Sequence, residues 1–146
     1  MQNCRLRDTF RGFLICVTVS AGFWFGAALA GHGSEEPVAV VSMERVKYYL
    51  TAREPMILVD LRPAKEFQQS HISGARSLPM AELEKRINEV PKAGRVILYC
   101  DCPQSELIQE AYLSLRDDYD YRNISIMGDA FKEWVKKKFP VEKGKK

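Results

Sequence analysis

The sequence predicts an α/β domain, a mostly parallel sheet covered by helices on both faces. Two patterns point to it. MILVD (56–60), RVILYC (95–100) and ISIM (124–127) are short, uninterrupted apolar runs, as expected of strands buried on both faces. Segments with helical spacing lie between them. Composition agrees: of 146 residues, 46% are hydrophobic and 28% charged, which is ordinary globular usage and argues against a disordered or fibrous chain.

The elements follow in order. Residues 31–37 (GHGSEEP) read as a flexible, polar lead-in. Val38–Val41 is a short β-branched run, and Ser42 can cap a helix over about 43–53 with Val46, Tyr49 and Leu50 on one face. After the 56–60 strand, Pro63 suits the first turn of a short helix, PAKEFQQ. Gly74 breaks the chain, and ARSLP is a short extended piece. Met80–Val90 places Leu83, Ile87 and Val90 at helical spacing until Pro91 stops it. After the second strand a helix is expected over Ser105–Asp117, with Leu107, Ile108, Ala111, Tyr112 and Leu115 as its inward stripe. Beyond the third strand, Gly128 turns the chain into a helix with Phe131, Trp134 and Val135 inward. Phe139 and Pro140 close a domain spanning 38–142, and 143–146 form a basic tail.

The N-terminal thirty residues carry a different pattern. Arg5, Arg7 and Arg11 precede nineteen uncharged residues, 12–30, that end in Ala28-Leu29-Ala30. A basic start, an apolar stretch and a small-x-small end form a secretory signal cut after Ala30. The rival is a retained membrane anchor, since about 20 apolar residues span a bilayer. Either way the domain faces an exported, oxidising space, the periplasm if the source is bacterial. Membrane contact is expected only if the segment is retained.

A net charge of +3 is too weak to suggest nucleic-acid binding. Four Cys and two His are too few for a disulfide scaffold or a sensibly spaced zinc site. Signal removal takes Cys4 and Cys16 and leaves Cys100 and Cys102. Two thiolates in C-x-C could bind Cu(I), but no Met or His run accompanies them, so neither metal nor cofactor is expected.

In open α/β sheets, ligands bind beyond the carboxyl ends of strands, where loops feed helix N-termini. Cys100 ends the second strand there, and the loop Asp101, Cys102, Pro103, Gln104 and Ser105 leads into the next helix. Backbone N–H groups and the positive helix end favour a thiolate, lowering the pKa below the free value of about 8.5. Such a thiolate is a nucleophile able to accept and hold a transferable atom. The bland alternative is an inert buried strand-end Cys. Cys102 has three readings: resolving thiol, disulfide partner or bystander. His71 reads as a satisfied turn residue. Asp60, Arg62 and Glu66 read as a structural charge network supporting the loop, and Trp134 as core.

Residues 58–79, LVDLRPAKEFQQSHISGARSLP, resemble the first signature of rhodanese-like domains through Asp60, Arg62, Glu66-Phe67, His71-Ile72 and Gly74-Ala75. VILYC (96–100) resembles the strand and active Cys of that family. Gly128, Phe131, Trp134 and FPVE (139–142) resemble its closing segment. The resemblance implies a mostly parallel sheet of about five strands flanked by helices, and sulfane-sulfur transfer through a persulfide on Cys100. The partners implied are a small sulfur-containing anion such as thiosulfate, or a persulfide, as donor and a thiol, in a protein or otherwise, or cyanide as acceptor. The loop departs from the family pattern, which carries Gly and Arg after the Cys. Pro103 removes one amide donor, and Asp101 and Glu106 put negative charge where an anionic donor would approach. The six residues from Cys100 to Ser105 have the length associated with sulfur transfer. Glu106 stands where a related phosphatase loop would need Arg, so that reading is excluded. Two alternatives remain: a thiol–disulfide redox protein using Cys100 and Cys102, and a rhodanese-fold binding module with little turnover.

Overall fold

A computed structural model of the chain describes residues 37–101 and 105–144, all within one unit, Glu35–Lys146. The N-terminal segment read as a signal, Cys102, Pro103 and Gln104, and the last two lysines lie outside the described residues. Chain order is β1 (Val40–Val41), α1 (Met43–Ala52), β2 (Ile57–Asp60), α2 (Ala64–Gln69), β3 (His71–Ile72), β4 (Arg76–Ser77) and α3 (Leu83–Arg86). There follow β5 (Val96–Tyr99), α4 (Glu106–Asp117), β6 (Ile124–Met127), α5 (Phe131–Lys136) and β7 (Val141–Glu142). Five strands form one parallel sheet in the order β1-β6-β5-β2-β4, with β5 at its centre. The expected fold class is therefore the observed one.

Side chains alternate across the central strands, so each apolar run feeds two cores. Val96, Leu98, Val59, Ile124 and Ile126 face the layer of α3 and α4, where they meet Leu83, Ile87, Ile108, Ala111, Tyr112 and Leu115. Ile97, Tyr99, Leu58 and Met127 face α1 and α5, where they meet Met43, Val46, Phe131 and Trp134. Helices on both faces let every strand position be apolar, which is why these runs are continuous rather than alternating.

Ser42 caps α1 as expected, its hydroxyl accepting the Arg45 N–H at 3.3 Å. Four expectations are corrected. Pro63 is the extended residue before α2, not part of its first turn. The segment 80–90 is not one helix: one turn of α-helix, α3, lies between 3-10 turns at Met80–Glu82 and Ile87–Glu89. Pro91 forces Val90 out of helical backbone, to φ −92° and ψ 117°. Leu107 is exposed: at 100° per residue it lies about 90° from the centre of the stripe formed by Ile108, Ala111, Tyr112 and Leu115. Val135 is exposed because the six-residue α5 buries only Phe131 and Trp134.

The sequence reading contained no β3 or β7. They pair antiparallel, His71 with Glu142 and Ile72 with Val141, and fasten the chain end to the segment after α2. The Trp134 indole N–H donates to the Pro140 carbonyl at 3.0 Å, and Phe139 packs edge-on against the indole. Beyond β7 the Gly144 N–H still donates to the Gln68 carbonyl at 2.9 Å.

Candidate functional site at the carboxyl ends of the central strands

Three adjacent parallel strands deliver the site residues: β2 ends in Asp60, β5 runs into Cys100 and Asp101, and β6 runs through Gly128 into α5. Asp60 is fully buried. A carboxylate there must find donors, and Arg62 supplies them. The Arg62 backbone N–H donates to Asp60 Oδ1 at 2.9 Å. Its guanidinium closes a bidentate pair, Nε to Oδ1 at 3.0 Å and Nη2 to Oδ2 at 2.7 Å. Nη2 also donates to the Ser70 carbonyl at 2.8 Å. Burial works against the Arg62 charge, but the Asp60 hydrogen bonds and its negative charge outweigh it and hold the pKa above the usual arginine value.

Tyr99, the last residue of β5, completes this cluster. Its hydroxyl oxygen accepts the Ile72 N–H at 3.2 Å, and its backbone pairs with Asp60 across the two strands. Burial, reinforced by the Asp60 charge, pushes the phenol well above its ordinary pKa, so it stays protonated. The guanidinium of Arg62 lies over the Phe131 ring, 3.8 Å from its centroid. Its Nη1 lies 3.7 Å from Glu66 and 3.8 Å from Asp101 Oδ2.

Cys100 continues the alternation of Val96 and Leu98, so its side chain joins the apolar cluster beneath α4 and is 3% exposed. Its carbonyl accepts the Phe131 N–H at 3.1 Å. Asp101 is exposed, and its Oδ1 accepts the Lys132 N–H at 3.1 Å. Ser105 caps α4, its hydroxyl accepting the Ile108 N–H at 3.5 Å.

Thus the structure brings Asp60, Arg62, Glu66 and Asp101 into one network beside Cys100. The other signature residues stand apart from it. The His71 ring stacks on Phe67 with centroids 3.7 Å apart, its Nδ1 is 2.9 Å from the Phe67 carbonyl, and Nε2 lies 3.8 Å from Glu142. Gly74 turns at φ +78°, with open space around an added Cβ, so backbone conformation and not crowding demands glycine there. Trp134 is fully buried core. Among the described residues no group of three or more His, Cys, Asp or Glu side chains could hold a metal ion.

Sequence reasoning missed Tyr99 and Phe131 as parts of this site. Tyr99 had a signal: it is the one residue of VILYC whose buried hydroxyl needs a partner. Phe131 had none, because its contact with Arg62 depends on how β2 and β6 flank β5.

The family model of the rhodanese-like domain matches residues 43–137, and the chain belongs to that family. Two curated relatives are similar over parts of the chain. The HTH-type transcriptional regulator Rv0324 of Mycobacterium tuberculosis is 33% identical over 87 residues, 60% of this chain and 38% of that protein. A protein of Allochromatium vinosum named sulfurtransferase is 35% identical over 60 residues, 41% of this chain and 56% of its own length. The chain thus spans well under two thirds of either relative. Among solved structures, the rhodanese-like domain of the Anabaena sp. Alr3790 protein superposes with a TM-score of 0.60 at 20% identity, covering 74% of this chain and 81% of that one.

Proposed function

We propose that this protein is an exported sulfurtransferase or persulfide carrier in which Cys100 is the nucleophile. The observation that carries the reading is the position of Cys100. It follows the central strand of the sheet, directly before a loop that leads into the Ser-capped N-terminus of α4. The positive end of that helix favours a sulfur anion. Similarity to a protein named sulfurtransferase supports the same chemistry.

The Cys100 thiolate attacks the outer sulfur of a donor such as thiosulfate. The new S–S bond forms as the donor's S–S bond breaks, and sulfite leaves with the electron pair. A thiol or cyanide then takes the outer sulfur from the persulfide and returns the Cys100 thiolate. The low exposure of Cys100 limits both steps to small or slender reactants.

The test is intact mass before and after thiosulfate. The wild type gains about 32 Da, one sulfur, and Cys100→Ser gains none. Equal gain in both refutes the role of Cys100. The same spectrum reports processing: export with cleavage after Ala30 gives a chain beginning at Gly31, and a retained anchor gives the full mass.

Cys102, one residue beyond Asp101, favours a second reading. Its thiol could attack the Cys100 persulfide, expel sulfide and leave a Cys100–Cys102 disulfide. Cys102→Ser would then keep the first sulfur and lose sulfide release.

A further inference from the structure

We propose that Asp101 is a positioning residue, a latch that holds the start of the Cys100 loop against α5 and Arg62. The inference rests on the sulfur-transfer reading for its consequence, though not for its geometry. The sequence alone makes Asp101 a negative charge in the donor's path. The structure gives the carboxylate other work. Oδ1 accepts the Lys132 N–H at 3.1 Å, and Oδ2 lies 3.8 Å from the Arg62 guanidinium. One residue earlier, the Cys100 carbonyl accepts the Phe131 N–H at 3.1 Å. Consecutive residues of the loop therefore take consecutive N–H groups of α5, which that short helix cannot satisfy internally.

Arg62 is the fixed end of the latch. Asp60 and the Ser70 carbonyl hold it, and the Phe131 ring lies beneath it, so it cannot follow a loop that moves. The Cys100 backbone is thus bounded on one side by β5 and on the other by the Asp101 contacts. Removing the carboxylate leaves the Lys132 N–H without its acceptor and frees the residue that follows the nucleophile. A nucleophile is effective only when held near its attack geometry, and small displacements cost large factors in rate.

Two side-chain changes separate the latch from simple charge repulsion. Asp101→Asn keeps an Oδ1 acceptor for the Lys132 N–H and loses the charge. Asp101→Ala loses both. With thiosulfate as donor, the latch predicts that Asp101→Ala lowers the maximal rate of Cys100 persulfide formation about tenfold at nearly unchanged half-saturating thiosulfate. Asp101→Asn stays within about threefold of wild type. Repulsion predicts the opposite: both variants load faster, at lower half-saturation. That outcome, or an Asp101→Ala rate equal to wild type, overturns the proposal.

Amide hydrogen exchange at Lys132 gives a second readout that needs no sulfur chemistry. It should quicken about tenfold or more in Asp101→Ala and little in Asp101→Asn. If wild type takes up no sulfur, the sulfur-transfer reading fails while the exchange result still decides the latch. If Asp101→Ala does not fold, the comparison of wild type with Asp101→Asn decides: faster loading of the Asn variant, or loss of Lys132 protection in it, overturns the proposal.

Discussion

β2 and β5 lie side by side in register, Asp60 opposite Tyr99, yet they end in opposite chemistry. The end of β2 is charged, buried and fully bonded: Asp60 is 0% and Arg62 6% exposed, and each satisfies the other. The end of β5 places the Cys100 side chain, buried in an apolar cluster, directly before an exposed acid. The difference teaches where the domain keeps its charge. A buried ion pair gives rigidity when every donor and acceptor is met. Set one strand away from Cys100, it brings a held cation within 3.8 Å of the Asp101 carboxylate. Under the proposed function, rigidity resides on β2 and reactivity on β5.

Substitutions on the two strands should therefore fail in different ways. The largest effect belongs to chemistry. Cys100→Ser is expected to lose persulfide formation entirely in protein that remains folded, although a hydroxyl in that apolar cluster should cost about 1–3 kcal/mol in urea unfolding. On β2, Asp60→Asn removes the bidentate partner of the buried Arg62 charge and leaves only the exposed Glu66 and Asp101 carboxylates, 3.7 and 3.8 Å away. That costs about 3–5 kcal/mol in urea unfolding, and residual folded protein should still form a persulfide. If Asp60→Asn abolished sulfur uptake at unchanged stability, the division between the strands would collapse. Phe131→Leu sharpens the contrast from α5, the helix that follows β6. It removes the ring under Arg62 and should cost about 1–2 kcal/mol with sulfur uptake retained. A cost within error of zero would mean that the guanidinium gains nothing from that face.

The parallel sheet was legible because continuous apolar runs are hard to produce otherwise, and the order of strand and helix followed from period alone. The clasp of β3 and β7 was not legible: each strand has two residues, below the length at which any alternation shows, and their pairing joins positions about seventy residues apart. The site was legible in part. Cys100 stood out by its place at a strand end, and Asp60, Arg62 and Glu66 by their spacing. The orientation of Asp101 could not be read, because charge and sequence position are the same whether the carboxylate faces a donor or the first turn of a helix arriving from another strand. Leu107 and Val135 show the same limit: both satisfy helical spacing, and only the width of the buried stripe removes them from the core.

The smallest effect expected tests the contact between the two strand ends. Tyr99 is held protonated by burial and by the neighbouring Asp60 charge, while in the unfolded chain it titrates near its ordinary pKa of 10.0. A pKa raised by folding means that the folded state keeps its proton above that pH and the unfolded state does not. The Tyr99 contribution is complete below about pH 10 and is lost as pH rises beyond it, by up to about 1.4 kcal/mol per pH unit. Tyr121, raised by its own burial, adds a loss of the same sign. Urea unfolding at pH 8 and pH 11 should thus show wild type losing more stability than Tyr99→Phe, the difference between the proteins cancelling groups that titrate alike in both. At pH 8 the variant should already be weaker, by about 1 kcal/mol, because the Ile72 N–H loses its acceptor. Equal alkaline losses in the two proteins would place the Tyr99 hydroxyl in contact with solvent, and the ends of β2 and β5 would then be neighbours without being coupled.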